Sequence, residues 1–221
     1  MDQGVIITVD VALITLQDDG LQVALLRRDK EPYKGQPALP GGYIHAEEDN
    51  DSLAAAKRVL TDKTGLVSPY LEQLYTFSGG ARDPRGWSVS IAYYALVNKD
   101  VLMSQENAAD VAFTLYRVDE LPLLPFDHNR IIDFAADRLR NKSTYSALPC
   151  YLLPETFTLT ELQKTYEKVL GYKLDKSAFR RKINDLDFLQ PVDEVRTGVH
   201  RPAKLYRIRP TKNLFLFDRT I

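Results

Sequence analysis

Two helix starts follow one another closely near the C-terminal end of this chain, and that pairing restricts its fold more than any other feature. Thr158 is placed to cap a helix, and Glu161 stands three residues on, so each side chain can satisfy the other's exposed backbone N–H. Phe157 before the cap and Leu162 after it form a hydrophobic staple. The helix is expected to run to Leu170 and to stop at Gly171. Asp175 caps a second helix, with Leu174 and Phe179 as its staple. Phe179, Ile183 and Leu186 recur at i, i+4 and i+7 and are expected to be buried. The opposite face carries Lys176, Ser177, Arg180, Arg181 and Asn184. Tyr172-Lys173-Leu174 is a short joint between the two, the arrangement of a helix-turn-helix.

Beyond Pro191, strands are expected over 192–196 and 204–209, turning at Thr197-Gly198. Helix, turn, helix and a basic hairpin is the order of a winged helix. Arg196, Thr197, His200, Arg201 and Lys204 gather at the hairpin tip. A helix of this composition can enter the major groove of double-stranded DNA, where Arg and Lys reach guanine edges and Asn reads adenine. The wing then supplies phosphate or minor-groove contacts. Charge agrees with this reading. Residues 151–221 carry 14 Lys and Arg against 9 Asp and Glu, while 1–150 carry 15 against 21. The net charge of −1 therefore conceals an acidic front and a basic back, the asymmetry of a chain with a nucleic-acid module at one end.

Upstream the pattern changes to strands. Apolar and β-branched residues over 5–16, a hairpin turn at Asp18-Asp19-Gly20 and alternation over 21–27 predict two paired strands. A loop rich in Pro and Gly spans 32–42. A helix is predicted over 52–64, with Leu53, Ala56 and Leu60 at helical spacing and Gly65 as its stop. Further strands are predicted over 71–77, 89–97 and 112–117, the first two separated by the turn-forming stretch 79–86. A long helix over 128–140 turns Ile131, Ile132, Ala135 and Leu139 inward. Strands interleaved with two helices describe an α/β layered domain. The expected boundaries are 1–142 for this domain and 155–221 for the winged helix. The linker 143–154 is too apolar, with Leu148, Tyr151, Leu152 and Leu153, to be a free tether, and suits a short helix. Cys150 is the one cysteine, so no internal disulfide can form. The first residues show neither a basic leader nor an apolar run of membrane-spanning length, so a cytoplasmic protein with no membrane partner is expected.

Leu39-Pro40-Gly41-Gly42-Tyr43-Ile44, followed by a helix ending in Lys63-Thr64-Gly65-Leu66, resembles a Nudix box. In hydrolases of that family the pattern is G-x5-E-x7-R-E-U-x-E-E-x-G-U, with U aliphatic. A loop and a helix converge carboxylates on Mg²⁺, which bridges a diphosphate and activates water. Counting back from Gly65 and Leu66, Arg58 and Leu60 are kept, but Val59, Asp62 and Lys63 occupy the three glutamate positions. Gly42 and Glu48 satisfy the loop part, although Arg58 then follows Glu48 by ten residues instead of eight. A Lys ammonium in the metal position opposes a divalent cation. No catalytic or metal-ligating residue is therefore assigned, no cofactor is expected to be required, and the chain is expected not to be an enzyme. Glu47, Glu48, Asp49 and Asp51 are the carboxylates that can compensate; the other reading is that they complement the helix N-terminus.

A degenerate Nudix box ahead of a winged helix is similar to the Nudix-related transcriptional regulators of NAD metabolism, the NrtR family, over nearly the whole chain. The matching segments are LPGGYI, RVLTDKTGL, FSGGARDPRGWSVSIAYYALV, the FDHNRII helix start, and FTLTELQKTYEKVLG with LDKSAFRRKINDL. The resemblance implies a Nudix-type α/β/α sandwich with a mixed sheet, plus a C-terminal winged helix-turn-helix domain. It also implies a homodimeric repressor of NAD biosynthesis or salvage genes. Such a repressor binds a palindromic operator and is released by ADP-ribose, or a related nucleotide, as effector. Matching positions for the effector are Arg27 for a phosphate, and Gly41 and Gly42 for close approach of backbone to the diphosphate. Asp83 and Arg85 of the RDPRG stretch are matched to ribose and phosphate, with Arg58 and His128 as further candidates. RDPRG is alternatively a tight turn, and His128 a helix-terminal residue without a ligand. Trp87 and Tyr93 either stack on adenine or belong to the core. The competing functions are an active Nudix pyrophosphohydrolase acting on ADP-ribose and a winged helix that binds another protein.

Overall fold

A computed structural model describes residues 4–68, 70–108, 113–196, 203–211 and 213–221. The chain forms two compact units, Met1–Ala136 and Asp137–Ile221. The division falls inside a helix that the sequence reading assigns wholly to the first domain.

The first unit is built on strands β1 (Ile6–Gln17), β2 (Gly20–Arg27), β3 (Pro37–Ala38), β4 (Gly41–Tyr43), β5 (Tyr70–Gly79), β6 (Ser88–Leu96) and β7 (Phe113–Arg117). They form one sheet in the order β3-β2-β1-β6-β5, with β4 paired to β1 and β7 to β2. The long β1 is shared along its length, since Thr8–Asp10 pair with β4 and Leu13–Gln17 with β2. β1 and β6 run parallel while the other pairs are antiparallel, so the sheet is mixed. Alternation along β1 separates two buried faces. Val9, Val11 and Leu13 pack with Ala55, Ala56, Val59 and Leu60 of α1 (Ser52–Thr64) and Leu102 of α2 (Lys99–Ala108). Asp10 points the other way, toward His128 at the start of α3 (His128–Ser143). Helices thus lie on both faces of a mixed sheet. α1 begins where Asp51 accepts from Ala54 N at 2.7 Å, and it ends where Gly65 takes the left-handed φ of 69° that a side chain resists.

α2 was not foreseen. Among the residues of α2 whose side chains are described, Leu102 alone is a fully buried apolar residue, while Val101 and Met103 face solvent. Asn98 starts it, accepting from Asp100 N at 2.9 Å through its side chain.

In the second unit a 3-10 turn, Leu148–Leu152, precedes α4 (Leu159–Leu170), α5 (Lys176–Asp185) and the antiparallel hairpin β8 (Leu189–Arg196) and β9 (Ala203–Ile208). The segment expected to be a linker belongs to this unit, for Ala147 and Cys150 are buried with Phe157, Leu162, Tyr166, Phe179, Ile183, Phe188 and Phe217. Each fully buried Phe contributes about 2–3 kcal/mol. Both halves of the capping box are formed. Thr158 N donates to Glu161 Oε2 at 2.7 Å, and Glu161 N donates to Thr158 Oγ1 at 3.1 Å. β8 begins before Pro191, not after it; Pro191 stands opposite Tyr206, whose N–H and C=O both bond Phe157 on the other side, so the missing N–H costs the hairpin no hydrogen bond. The order is that of a winged helix. No helix of the described residues is long and apolar enough to cross a membrane.

Candidate functional site

The first unit holds a cavity of about 460 Å³. Thr8 and Asp10 of β1 form its base, β4 contributes Gly41, Gly42 and Tyr43, and α1 contributes Arg58, Val59, Asp62 and Lys63. The loop after β2 supplies Arg28, Asp29, Lys30 and Glu31; the remaining wall comes from Leu39, His45, Arg82, Asp83, Arg85, Phe126 and His128.

A buried polar network underlies it. Asp10 accepts from Ser90 Oγ at 2.5 Å, and its other oxygen faces His128 Nε2 at 3.6 Å. Leu39 N donates to His128 Nδ1 at 3.1 Å, which leaves the ring proton on Nε2, toward Asp10. Arg82 grips Asp127 with Nε at 3.1 Å and Nη2 at 2.8 Å, donates to Ser88 Oγ at 3.1 Å, and lies 3.8 Å from Asp10. Burial opposes the Asp10 charge, but His128, Ser90 and Arg82 outweigh it and hold the carboxyl below its ordinary range. Gly41 fits over this carboxylate. A Cβ there would stand well inside contact distance of Asp10 Oδ1.

The rim is made of fixed guanidinium groups. Arg58 holds Asp49 with two bonds, Nε to Oδ1 at 2.8 Å and Nη2 to Oδ2 at 2.7 Å, and also donates to Tyr43 O at 3.0 Å. The Arg58 bond is the main reason the Asp49 carboxyl is lowered to about 2. Arg85 holds the buried Asp83 in the same manner, at 3.0 and 2.7 Å, and donates to Tyr43 Oη at 2.6 Å. Desolvation resists the Asp83 charge and Arg85 more than offsets it, so this carboxyl too is lowered. Phe126 adopts a left-handed φ of 56°. Its ring meets Tyr33 edge-on at 5.1 Å, with the Arg28 guanidinium 4.8 Å and that of Arg85 5.8 Å from its centroid. Holding a non-glycine residue there costs of order 1–3 kcal/mol, which the ring contacts offset. Such a cavity can take an anionic, aromatic-bearing ligand: the cationic side chains of its lining attract phosphate, and ring faces match a base.

Of the residues selected from sequence, Gly41, Gly42, Arg58, Asp83, Arg85 and His128 all line this cavity. Arg58 is bonded to Asp49, and Asp83 and Arg85 are bonded to each other, and RDPRG is turned, since Arg85 N donates to Asp83 Oδ1 at 3.0 Å. Arg27 does not line the cavity. It closes β2 opposite Pro37 with its side chain exposed beside Gly35, and it is Arg28, one residue on, that turns inward. A one-residue step along a strand reverses the face. Tyr93 is core, donating to or accepting from Ser52 Oγ at 2.8 Å, and Trp87 is half exposed outside the lining. Asp10, Arg28, Tyr43, Arg82 and Phe126 were missed. The segments FDHNRII and RDPRG flagged the last two regions, but nothing local tied either to Asp10.

Of Glu47, Glu48, Asp49 and Asp51, the carboxylates considered as metal ligands, the last three are otherwise engaged. Asp49 is bound to Arg58, Asp51 caps α1, and Glu48 meets His45 Nδ1 at 3.1 Å. Among the described residues no group of three or more His, Cys, Asp and Glu could hold a metal ion.

In the second unit, α5 exposes Lys176, Ser177, Arg181 and Asn184. Arg180 is less free than its neighbours: it is half-buried, with Nη2 3.4 Å from Thr160 Oγ1 on α4. Lys182 bonds Arg219 O and Thr220 O. Lys204 is exposed on β9, its ammonium 5.8 Å from the Tyr206 ring. Arg196 ends β8 opposite Ala203. Thr197, His200 and Arg201 lie outside the described residues.

Fold and site together define a Nudix domain carried on one chain with a winged helix. Residues 7–136 match the NUDIX domain family, and residues 149–208 match the family described as the NrtR DNA-binding winged helix domain. The chain is 40% identical over 217 residues to the ADPR responsive transcriptional repressor NtrR of Acinetobacter baylyi, covering 98% of this chain and 87% of that protein. It is similar to NrtR of Shewanella oneidensis, solved with a 27mer DNA, at a TM-score of 0.90, with 36% identity and coverage of 97% and 99%. The Nudix domain of the same protein, solved with ADP ribose, matches at a TM-score of 0.53, with 35% identity over 62% of this chain and 90% of that one. A further relative is an ADP-ribose pyrophosphatase of Methanocaldococcus jannaschii, 33% identical over 111 residues, covering 50% of this chain and 63% of that protein. The chain belongs to the NrtR family.

Proposed function

We propose that this chain is a transcriptional repressor that holds a palindromic DNA operator as a homodimer, through α5 and the β8–β9 hairpin. ADP-ribose, or a related nucleotide, entering the Nudix cavity releases it. The carrying observation is that one chain combines two separate chemistries. The first unit has a cavity rimmed by guanidinium groups and ring faces, and the second has the exposed Lys176, Arg181 and Asn184 on the second helix of a winged helix. The relative from S. oneidensis supports both halves, having been solved once with DNA and once with ADP ribose. The controlled genes are expected to be those of NAD biosynthesis or salvage, acting in the cytoplasm. The Nudix domain acts as a sensor and not as a hydrolase, since Val59 and Lys63 stand where a hydrolase needs carboxylates.

Linkage requires that DNA weaken ADP-ribose binding by the same factor by which ADP-ribose weakens DNA binding. The test is a gel shift on a palindromic operator with and without ADP-ribose, where the nucleotide is expected to abolish the shift. Undiminished DNA binding at saturating nucleotide removes the effector from the reading. The pyrophosphatase relative keeps hydrolysis as the rival. Incubation with ADP-ribose and Mg²⁺ is expected to yield no AMP, and steady AMP release would replace the sensor by an enzyme.

A further inference from the structure

α1 presents Arg58, Val59, Asp62 and Lys63 to the cavity as two pairs spaced i, i+4 on neighbouring tracks of the helix. The Nudix pattern puts metal-binding glutamates at the last three of these positions, and none of the three is a free carboxylate here. Val59 is apolar and 2% exposed, with its Cγ2 3.0 Å from where a Cβ on Gly42 would stand. Asp62 lies 3.9 Å from the Arg58 guanidinium. Lys63 lines the cavity and, among the described residues, has no carboxylate partner. This donor set does not fit Mg²⁺.

We infer that the Lys63 ammonium is the built-in counter-charge for a diphosphate in this cavity, so that the effector is held without any divalent cation. The inference rests on the proposed reading of the cavity as a nucleotide site. An ammonium offers a positive charge and three donors to phosphate oxygens, but it cannot generate a metal-bound hydroxide. A site built this way retains a diphosphate without cleaving it. Arg28 and Lys30 on the facing loop line the same cavity and, among the described residues, also lack carboxylate partners.

Calorimetric titration of the full chain with ADP-ribose, in EDTA and in millimolar Mg²⁺, tests this. Wild type is expected to bind alike in both. Lys63→Gln should lose about tenfold in affinity, the scale of one charge-assisted hydrogen bond, and Lys63→Arg should retain it. Lys57→Gln, at an exposed position of the same helix outside the cavity, should match wild type. Lys63→Glu, which sets a second carboxylate beside Asp62, should bind weakly in EDTA and recover about tenfold in Mg²⁺. Lys63→Gln binding as wild type does, or a wild type that requires Mg²⁺, overturns the inference while leaving the cavity a nucleotide site. Absence of binding by every form in both conditions overturns the cavity reading itself.

Discussion

Gly41→Ala should destabilise the first unit by about 3 kcal/mol, chiefly through Asp10. The added Cβ would fall well inside contact distance of Asp10 Oδ1, so the carboxylate cannot stay in place, while Val9 O at 3.2 Å has to yield by only a few tenths of an ångström. Asp10 is 7% exposed and bonded to Ser90 at 2.5 Å. Rotating it away breaks a charged hydrogen bond, about 1.5–3 kcal/mol, and adds an overpacking cost of roughly 1–3 kcal/mol. For a unit of this size such a loss lowers the melting temperature by roughly 6–12 °C. Trp87 is the one tryptophan and lies in the first unit, so its fluorescence follows that unit separately from the winged helix. The decisive comparison is a double-mutant cycle. In an Asp10→Ser background the shorter side chain leaves room, and Gly41→Ala should cost less than about 1 kcal/mol, a coupling of about 2 kcal/mol. Equal costs in the two backgrounds would refute the argument, because Asp10 would then not be what confines Gly41.

Arg181→Ala should weaken operator binding by about 1–3 kcal/mol and relax specificity at one position, whereas Arg180→Ala, half-buried against Thr160, should change specificity less. Lys204→Ala should instead reduce the slope of log K against log salt by about 1, measured by titration across salt concentrations; an unchanged slope removes it from the phosphate contacts. The Asp49 carboxyl is lowered from 3.8 to about 2 by Arg58, so its contribution is fully present above pH 4 and is lost as pH falls toward 2. Asp49→Asn should therefore be less stable than wild type at neutral pH and show a shallower acid loss of stability, checked by urea titrations at several pH values. Cys150 is 2% exposed and burial pushes its thiol pKa up, so a disulfide thiol reagent should label it only after unfolding. Prompt labelling of the native chain would show the second unit to be more open than described.

Local signals carried the helices because caps are local. Asp51, Thr158 and Asp175 each bond a backbone N–H three residues on, a distance that sequence displays directly. The same rule explains the omission of α2, whose start is an Asn without an apolar stripe behind it. The cavity was legible only in outline. Its base joins Asp10 to Ser90, 80 residues away, and Arg82 to Asp127, 45 residues away. No period in the sequence connects such pairs; the parallel β1–β6 register does, by setting Asp10 opposite Ala92 with Ser90 two residues along on the same face.

The Nudix spacing located α1 correctly, yet reading it position by position understates what differs. Val59 is not simply a missing charge. Its branched side chain is packed against the open side of Gly42, and Gly41 beside it is packed against Asp10, so the loop and helix that would converge on a metal are fitted to each other by contact. A glutamate restored at 59 alone would enter a position 2% exposed, with Arg58 already committed to Asp49, and would pay for burial without a partner. Lys63→Glu alone therefore supplies at most a Mg²⁺-assisted hold on the diphosphate, and a hydrolytic centre requires the buried Val59 to change with it. On the proposed reading this interdependence holds the domain in its sensing role, because no single substitution along the way gains a reaction.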